Sequence, residues 1–275
     1  MNDRVRIDVH EHVATVTLDR ADKMNAMDPA MFQALPEAAA AVAARGDVRA
    51  VVLTGSGGNF SAGIDIAGFG GQDIAGRFAV EAFALCGDTP ANRYQHPTWC
   101  WYALPMPVIA AIEGVCFGAG VQVASGADVR IAAPDAKLSI MEIKWGLVPD
   151  MAMTATLRGV MPLDRLKMLA YTGQVVDGAQ AAELGLVTQA APDPLAAAQT
   201  LAASIAGRSP DAIRAIKHLC NEAFESDREE ALRLEAAAQL SVMGTPNQLE
   251  AAMANLQKRA PDFKDPDAAA SDAAA

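Results

Sequence analysis

The sequence lacks an excess of positive charge, closely spaced cysteines and long apolar runs. It has 22 Lys and Arg residues against 33 Asp and Glu residues, so its formal net charge is -11 at pH 7. Such a chain has no basic field to offset phosphate repulsion, which argues against a nucleic-acid partner. The four cysteines form no C-x-x-C pair, which argues against a zinc site or a disulfide framework.

The sequence also lacks the apolar segments that membrane insertion and secretion require. No apolar run reaches the roughly 18 residues of a membrane span, and the first residues lack the apolar core of a signal peptide. We therefore expect no membrane partner and a cytoplasmic location. Apolar side chains are nevertheless abundant, at 52% of 275 residues, which is ample for a large core in one domain.

The N-terminal part predicts a strand, strand, helix, strand order. Residues 5–9 and 13–18 alternate apolar and polar side chains, which predicts a hairpin. Asp28 followed by proline predicts the start of a helix, and the apolar run at 49–54 predicts a buried strand. This order, followed by a glycine-rich turn, indicates α/β layering.

Two histidines in the hairpin raise the question of a metal site. His10 and His12 lie on one face of an extended chain, but no third ligand accompanies them. Solvated turn residues are the favoured interpretation, and we expect no metal.

The glycine-rich turn at residues 55–65 (GSGGNFSAGID) matches no standard motif. It has Phe60 in place of the third glycine of the dinucleotide fingerprint, and it has no Gly-Lys-Ser/Thr of a P-loop. Around Ser61 it resembles a nucleophile elbow, except that Asn59 replaces the first glycine. A flexible loop is one interpretation. Close approach of the backbone to a ligand is the better one, because small residues cluster where Cβ atoms would obstruct it.

A second stretch, residues 114–150, holds the candidate chemistry. Its first part is an apolar run that ends at the small residues 118–120 (GAG) and predicts backbone N–H donors at a helix start. Its last part places two carboxylates, Glu142 and Asp150, in an otherwise apolar setting. These carboxylates are candidates for proton transfer.

Two further regions frame this stretch. Residues 66–106 are expected to shape a substrate pocket, and their aromatic side chains either line it or form plain core; they are Trp99, Trp101 and Tyr102. From residue 150 onwards the chain is predicted to be nearly all helical. A helix starting at Ser209-Pro210 is expected to turn Ile213, Ile216, Cys220 and Phe224 to one face and Arg214, Lys217, His218 and Asn221 to the other, with His218 in solvent.

Five short motifs, each weak alone, occur in an order and spacing that resemble one family, the enoyl-CoA hydratase/isomerase or crotonase superfamily. The similarity runs from about residue 5 to residue 264. The motifs are residues 20–26 (RADKMNA), 60–65 (FSAGID), 111–120 (AIEGVCFGAG), 127–130 (ADVR) and 185–187 (GLV).

The resemblance implies an α/β fold, a crotonase-like spiral of repeated β-β-α units with a C-terminal helical trimerisation region. We assign residues 1–200 to the spiral core with the acyl-CoA site and residues 201–264 to helical oligomerisation. Residues 265–275 are expected to be a disordered tail. The family forms trimers that often pair into hexamers, so a homotrimer or a dimer of trimers is expected.

The resemblance also implies a site for a coenzyme A thioester, whose carbonyl oxygen binds between two backbone N–H groups. By position these belong to Ile64 and Ala119, the latter standing where the family usually has glycine. The donors stabilise the enolate that forms when a proton moves. Coenzyme A enters as part of the substrate, so no separate cofactor is expected. The substrate-binding residues implied are Lys23, Ala26, Ser61, Ala62, Gly63, Asp65 and Gln122.

One departure from the family pattern bears on the reaction. Hydratases of the family hold a water with two glutamates; the second matches Glu142, but the first position holds Gln122, which cannot exchange a proton. The family's dienoyl-CoA isomerases carry a Glu and an Asp at the spacing of Glu142 and Asp150, although they have an Asp where Gln122 stands. The resemblance therefore favours isomerisation of an unsaturated acyl-CoA, with Glu142 as main base and Asp150 as second proton carrier.

Alternatives remain at the level of sequence. One is an enoyl-CoA hydratase that uses Glu142 alone with Gln122 positioning water, and another is a non-catalytic acyl-CoA-binding or scaffold protein. Structural roles are also open: a salt bridge from Glu142 to Lys144 or Arg130, and a helix cap by Asp150 for residues 151–158. Acyl chain length and double-bond position are not specified.

Overall fold

The computed structural model describes residues 3–66 and 85–266. Strands β1 (Val5–His10) and β2 (Val13–Leu18) form the predicted antiparallel hairpin. Asp28 caps helix α1 (Pro29–Ala43) by accepting a hydrogen bond from the Met31 N–H at 2.8 Å, as its position before a proline predicts. Strand β3 (Ala50–Gly55) then runs parallel to β2.

The rest of the described chain alternates short strands with helices and then becomes helical. After β3 come α2 (His96–Tyr102), β4 (Val108–Ile112), β5 (Val115–Phe117), α3 (Ala119–Ser125), β6 (Val129–Ala132), β7 (Lys137–Ser139), a 3-10 turn (Glu142–Trp145), α4 (Met153–Thr156), α5 (Leu163–Thr172), β8 (Val176–Asp177), α6 (Gly178–Leu184), β9 (Gln189–Ala190), α7 (Pro194–Ala206), α8 (Pro210–Ala223), α9 (Arg228–Val242) and α10 (Pro246–Gln257).

The described strands form two sheets between which the chain alternates. One sheet has the order β1-β2-β3-β4-β6-β9, parallel except for the first pair, and the other has the order β5-β7-β8. Isolated parallel bridges extend the same pattern to earlier residues, because Ser61 pairs with Cys116 and Met27 pairs with Ile64. Each turn of the chain therefore places one segment in the first sheet and the next segment beside the second sheet.

A second packing layer lies on the other face of the larger sheet. Helix α7 presents a stripe of small side chains, among them Ala198 and Ala202, which are fully buried against Ile109 and Ile131. Alanine lets the helix approach the sheet closely, so both faces of the parallel strands are covered. This layering holds the strand ends that form the site.

Helix α8 is oriented differently from the sequence prediction. Lys217, predicted on the solvent face, is 8% exposed, whereas Ile216 and Phe224, predicted on the apolar face, are 55% and 88% exposed. The reason is an ion pair: Lys217 Nζ donates to Asp128 Oδ2 at 2.8 Å and to the Met106 carbonyl at 3.2 Å. His218 is exposed, as predicted.

The last described residues return to the beginning of β3. Arg49 is buried and donates to Asp265 Oδ1 at 2.8 Å, to the Phe263 carbonyl at 2.9 Å and to the Ala206 carbonyl at 3.3 Å. The predicted disordered tail thus differs at its first residue, since Asp265 is held by this guanidinium, while residues 267–275 lie outside the described part of the chain. Residues 67–84 of the expected pocket-shaping segment also lie outside it.

The described ranges offer neither a cluster of metal ligands nor a membrane-spanning helix. No group of three or more His, Cys, Asp or Glu side chains there is arranged to hold a metal ion. His12 Nδ1 instead lies 2.9 Å from the carbonyl oxygen of Asp47. None of the helices at residues 3–66 and 85–266 combines the length and apolarity that a membrane crossing needs.

Candidate active site

Two chain segments, residues 20–26 and 55–65, meet at the buried amide of Asn25. Its Oδ1 accepts from the Arg20 N–H at 2.8 Å, and its Nδ2 donates to the carbonyls of Ser56 and Asn59 at 2.9 and 2.7 Å. Ser61 Oγ in turn donates to the Asn25 carbonyl at 2.8 Å. These bonds fix the glycine-rich turn against residues 20–26.

The N–H groups of residues 61–65 are engaged with one exception. Ser61 donates to the Val115 carbonyl, Ala62 to the Met24 carbonyl and Asp65 to the Met27 carbonyl. The Gly63 N–H lies 3.2 Å from Ser61 Oγ. In the part of the chain that the structure describes, only the Ile64 N–H of this set has no acceptor. The hydrogen bonds of residues 61–63 and 65 thus fix the backbone on both sides of the Ile64 N–H.

The start of helix α3 lies directly against this turn. A Cβ built on Gly63 would be 3.7 Å from the Ala119 nitrogen, and a Cβ on Gly120 would be 2.7 Å from the Ser61 carbonyl oxygen. Ala119 is the first residue of α3, so its N–H has no partner within the helix. The N–H groups of Ile64 and Ala119 thus belong to two adjoining backbone segments; Ala119 is buried and Ile64 is 38% exposed.

Glu142 lies beside the same helix start. Its Oε1 accepts from Gln122 Nε2 at 2.6 Å, and a Cβ on Gly118 would be 3.5 Å from Oε1. Its Oε2 is buried and has no hydrogen-bond partner among the described residues. Burial raises the pKa of Glu142, opposed by hydrogen bonds that include the one from Gln122, and the charge of Asp150 raises it further.

Asp150 is half-buried near Glu142 and has a pKa raised by burial. Helix α4 begins at Met153, its N-cap residue is Ala152, and no side chain caps it. The alternative that Asp150 caps residues 151–158 is therefore wrong, because the chain turns through a left-handed Ala152 before the helix starts.

The salt-bridge alternative for Glu142 is also not realised. No ion pair joins Glu142 to Lys144 or to Arg130 within the described ranges. The 3-10 turn at Glu142–Trp145 leaves Lys144 exposed. Arg130 is buried and donates to the carbonyls of Leu186 and Ala127 at 3.1 and 2.6 Å.

The remaining sequence-predicted residues line the same turn in different ways. Lys23 is exposed on a 3-10 turn (Ala21–Lys23). The Ala26 carbonyl accepts from Arg20 Nη1 at 3.0 Å, and the Asp65 carboxylate is paired with Arg20 at 2.8 Å. The Ala26 carbonyl and the Asp65 carboxylate thus both bind the Arg20 side chain, whereas Lys23 is exposed to solvent.

Of the aromatic side chains near the site, Trp101 is fully buried, which favours the core interpretation for this residue. Trp99 and Tyr102 are half-buried and stack with ring centroids 4.9 Å apart. Sequence reasoning gave no role to Asn25, although it belongs to a motif. Its one signal is an Asn in the short segment 20–26 (RADKMNA) between predicted elements, which is common in any loop.

The enoyl-CoA hydratase/isomerase family model matches residues 8–266. A probable enoyl-CoA hydratase of Mycobacterium bovis is 32% identical over 261 residues, which cover 94% of this chain and 97% of that protein. The mitochondrial Delta(3,5)-Delta(2,4)-dienoyl-CoA isomerase of Rattus norvegicus is 32% identical over 260 residues, which cover 90% of this chain and 78% of that protein.

Solved structures agree with these matches. An enoyl-CoA hydratase from Bacillus anthracis superposes with a TM-score of 0.86 at 29% identity, covering 96% of this chain and 100% of that one. The predicted α/β crotonase-like fold is thereby confirmed. The motif order, the fold and the matches over nearly the whole length lead to one conclusion: this chain belongs to the enoyl-CoA hydratase/isomerase family.

Proposed function

We propose that this protein shifts a double bond in an unsaturated acyl-CoA through a thioester enolate. The observation that carries the proposal is the direct 2.6 Å hydrogen bond between Gln122 and Glu142; the other, buried carboxylate oxygen has no partner among residues 3–66 and 85–266. A buried carboxylate oxygen without a hydrogen-bond partner is suited to accept a proton from a substrate. The substrate is an acyl-CoA thioester, the class on which the family acts.

The proton balance of a 3-enoyl substrate uses the carboxylate and the two N–H groups. Glu142 Oε2 takes a proton from the α carbon, and the C–H electron pair forms an enolate whose charge moves to the thioester oxygen. The N–H groups of Ile64 and Ala119 donate to that oxygen; preorganised donors of this kind contribute about 3–4 kcal/mol each. Return of the proton at the γ carbon gives a 2-enoyl-CoA of unchanged mass.

Asp150 is proposed as the second proton carrier for dienoyl substrates. Burial raises its pKa, so it stays protonated at a higher pH than an ordinary aspartate. It acts as an acid at one end of the diene while Glu142 acts as a base at the other, which requires two groups of different proton affinity. A single-carboxylate reaction does not need it.

Hydration is the second candidate, favoured by the name of the Mycobacterium bovis relative. It requires Gln122 to position a water for attack. In the structure the Gln122 amide already donates to Glu142 and accepts from the Met151 N–H at 2.7 Å, and its side chain is 1% exposed. These two contacts support a role of the Gln122 amide in holding the base Glu142 more than a role in holding a water molecule.

The proposed substrate contacts and assembly follow the family pattern. Ser61, Ala62 and Gly63 shape the pocket wall and Lys23 approaches the coenzyme A phosphates. Residues 1–200 form the catalytic core and residues 201–264 the oligomerisation region of a homotrimer or dimer of trimers. The proposed compartment is the cytoplasm, which suits four free cysteine thiols.

The proposal is tested by incubating purified protein separately with 3-enoyl-CoA, 3,5-dienoyl-CoA and 2-enoyl-CoA and analysing products by chromatography and mass. We expect same-mass products from the first two. Glu142→Gln should lose at least about 100-fold in turnover, because it removes the base, and the exposed Glu37→Gln should not change it. A gain of one water on 2-enoyl-CoA without isomerisation would establish the hydratase instead. Binding without any turnover would establish the non-catalytic alternative.

A further inference from the structure

We propose that Gln122 is the positioning residue of both acidic side chains. One end of its amide orients Glu142, and the other end anchors the segment that carries Asp150. This inference rests on the proposed function and deepens it. It differs from a substrate-binding or water-holding role, because both contacts of the amide are to the protein itself.

The amide is held from both sides in a buried setting. Its Nε2 donates to Glu142 Oε1 at 2.6 Å, and its Oε1 accepts from the Met151 N–H at 2.7 Å. All seven residues of α3 are buried. The helix is fixed further by Ser125, whose Oγ donates to the Gln122 carbonyl at 2.6 Å and lies 2.6 Å from Thr156 Oγ1.

The first consequence is a choice between the two oxygens of Glu142. The bond to Gln122 occupies Oε1, so the proton must be taken by Oε2, which is buried and without a partner in the described part of the chain. A side chain free to rotate would present either oxygen. Gln122 thus fixes which lone pairs meet the substrate, which is the orientation that proton transfer requires.

The second consequence concerns the segment after the 3-10 turn. The Leu147 N–H donates to the Glu142 carbonyl at 3.1 Å, and Gly146 has a left-handed φ of 68°. The chain then runs through the exposed residues 147 and 148 and the half-buried residues 149 and 150 to Met151, whose N–H donates to Gln122 Oε1. Asp150 is the residue next to this anchor, so its position relative to Glu142 is set by the same amide.

The charges around Glu142 are few. Helix α3 carries no charged side chain, and Asp150 comes from the following segment. The turn itself carries the exposed Lys144. Helix α5, which packs against the turn, carries Asp164, Arg165 and Lys167. A change in the titration of Glu142 on substitution of Gln122 therefore reports on the hydrogen bond that is removed.

The test is a titration that does not depend on turnover. Protein labelled with δ-13C glutamate is followed by NMR, with the Glu142 signal assigned by its absence in Glu142→Gln. The bond from Gln122 favours the ionised form, so Gln122→Met should raise the Glu142 midpoint by about one pH unit. Gln122→Glu should raise it more, because a like charge lies at hydrogen-bond distance. Unchanged midpoints in folded variants would overturn the inference.

A matched control separates positioning from general support. Ser125→Ala removes two hydrogen bonds one turn further along α3 without touching a carboxylate. It should lower stability and leave the Glu142 midpoint unchanged. An equal shift in this control would show that loosening of the helix, rather than loss of the amide, moves the titration.

The second arm concerns Met151. Gln122→Glu keeps an acceptor for the Met151 N–H and Gln122→Met does not, so hydrogen–deuterium exchange at residue 151 should be faster only in Gln122→Met. Equal protection in both would contradict the anchoring role. If the titration shifts occur but no same-mass product forms, the proposed reaction fails while the positioning role stands. If isomerisation occurs without the titration shifts, the proposed reaction stands and the positioning role fails.

Discussion

At the scale of single residues, a comparison of two glycines separates the effect of backbone strain from the effect of steric crowding around an added Cβ. Gly63 and Gly58 both have left-handed backbones, with φ of 89° and 72°. A Cβ on Gly63 would lie 2.7 Å from the Phe117 carbonyl oxygen, whereas a Cβ on Gly58 would meet nothing within 4 Å. Both positions favour glycine for conformational reasons, but only Gly63 is also enclosed by its neighbours.

We expect Gly63→Ala to lower turnover of 3-enoyl-CoA by about 100-fold or more. The added methyl group must push the turn away from β5 and displace the Ile64 donor, and loss of one such donor costs about that factor. Gly58→Ala should keep its turnover and lose about 1–2 kcal/mol of unfolding free energy, from strain alone. Steady-state rates and urea unfolding of both variants check this. Equal loss of turnover in the two would contradict it.

From the small residues at 61–63, sequence reasoning predicted close approach of the backbone to a ligand, and that contact stays a prediction. The structure packs these residues against β5 and α3, so sequence reasoning found a close contact but not its protein partner. It failed at Asn25, whose amide bonds to residues 31 and 34 positions further along the chain. A loop asparagine has the same appearance in a sequence whether or not such partners exist, so the hydrogen bonds of Asn25 could be identified only from the fold.

At the scale of elements, helix α8 shows what periodicity leaves undecided. The 3.6-residue period groups Lys217 with polar residues and Ile216 with apolar ones, but it does not say which group faces the spiral. The ion pair with Asp128, 89 positions earlier in the chain, places Lys217 on the buried face. The position of Glu142 is likewise set by the fold, because β7 ends at Ser139 and the chain then forms the 3-10 turn that begins at Glu142.

Lys217→Met should lower the unfolding free energy by about 3 kcal/mol, because it leaves a part-buried carboxylate without its cation. Asp128 would keep its bond from the Val108 N–H, at 2.7 Å, which is why the loss stays at the lower end of the usual range. Arg158→Met is the control: its ion pair with Glu225 is exposed and should contribute less than about 1 kcal/mol. Urea midpoints compare the two. Similar small shifts would show that the buried pair does not hold α8.

At the scale of the whole molecule, the helices after residue 201 leave many large apolar side chains in contact with solvent. Those on α9 and α10 that are at least 55% exposed are Leu232, Leu240, Leu249 and Leu256. Burial of such side chains between subunits contributes about 25 cal/mol per Å² of apolar surface. The exposure fits the proposal that this region joins copies of the chain.

Sedimentation equilibrium should therefore give a mass three or six times that of the 28.7 kDa chain. Leu232→Glu combined with Leu240→Glu should reduce the mass, because charges oppose burial of the helix face. Gln257→Glu, which adds a charge at an exposed polar position, should not. A wild-type mass of one chain would overturn the proposed assembly.

Arg49 has a consequence for the order in which the molecule is completed. Its carbonyl partner at Ala206 is 157 positions away along the chain and its carboxylate partner at Asp265 is 216 positions away. During synthesis from the N-terminus, the start of β3 is therefore made long before the groups that neutralise its guanidinium. Until Asp265 has been synthesised and has docked, the Arg49 guanidinium at the start of β3 lacks this carboxylate partner.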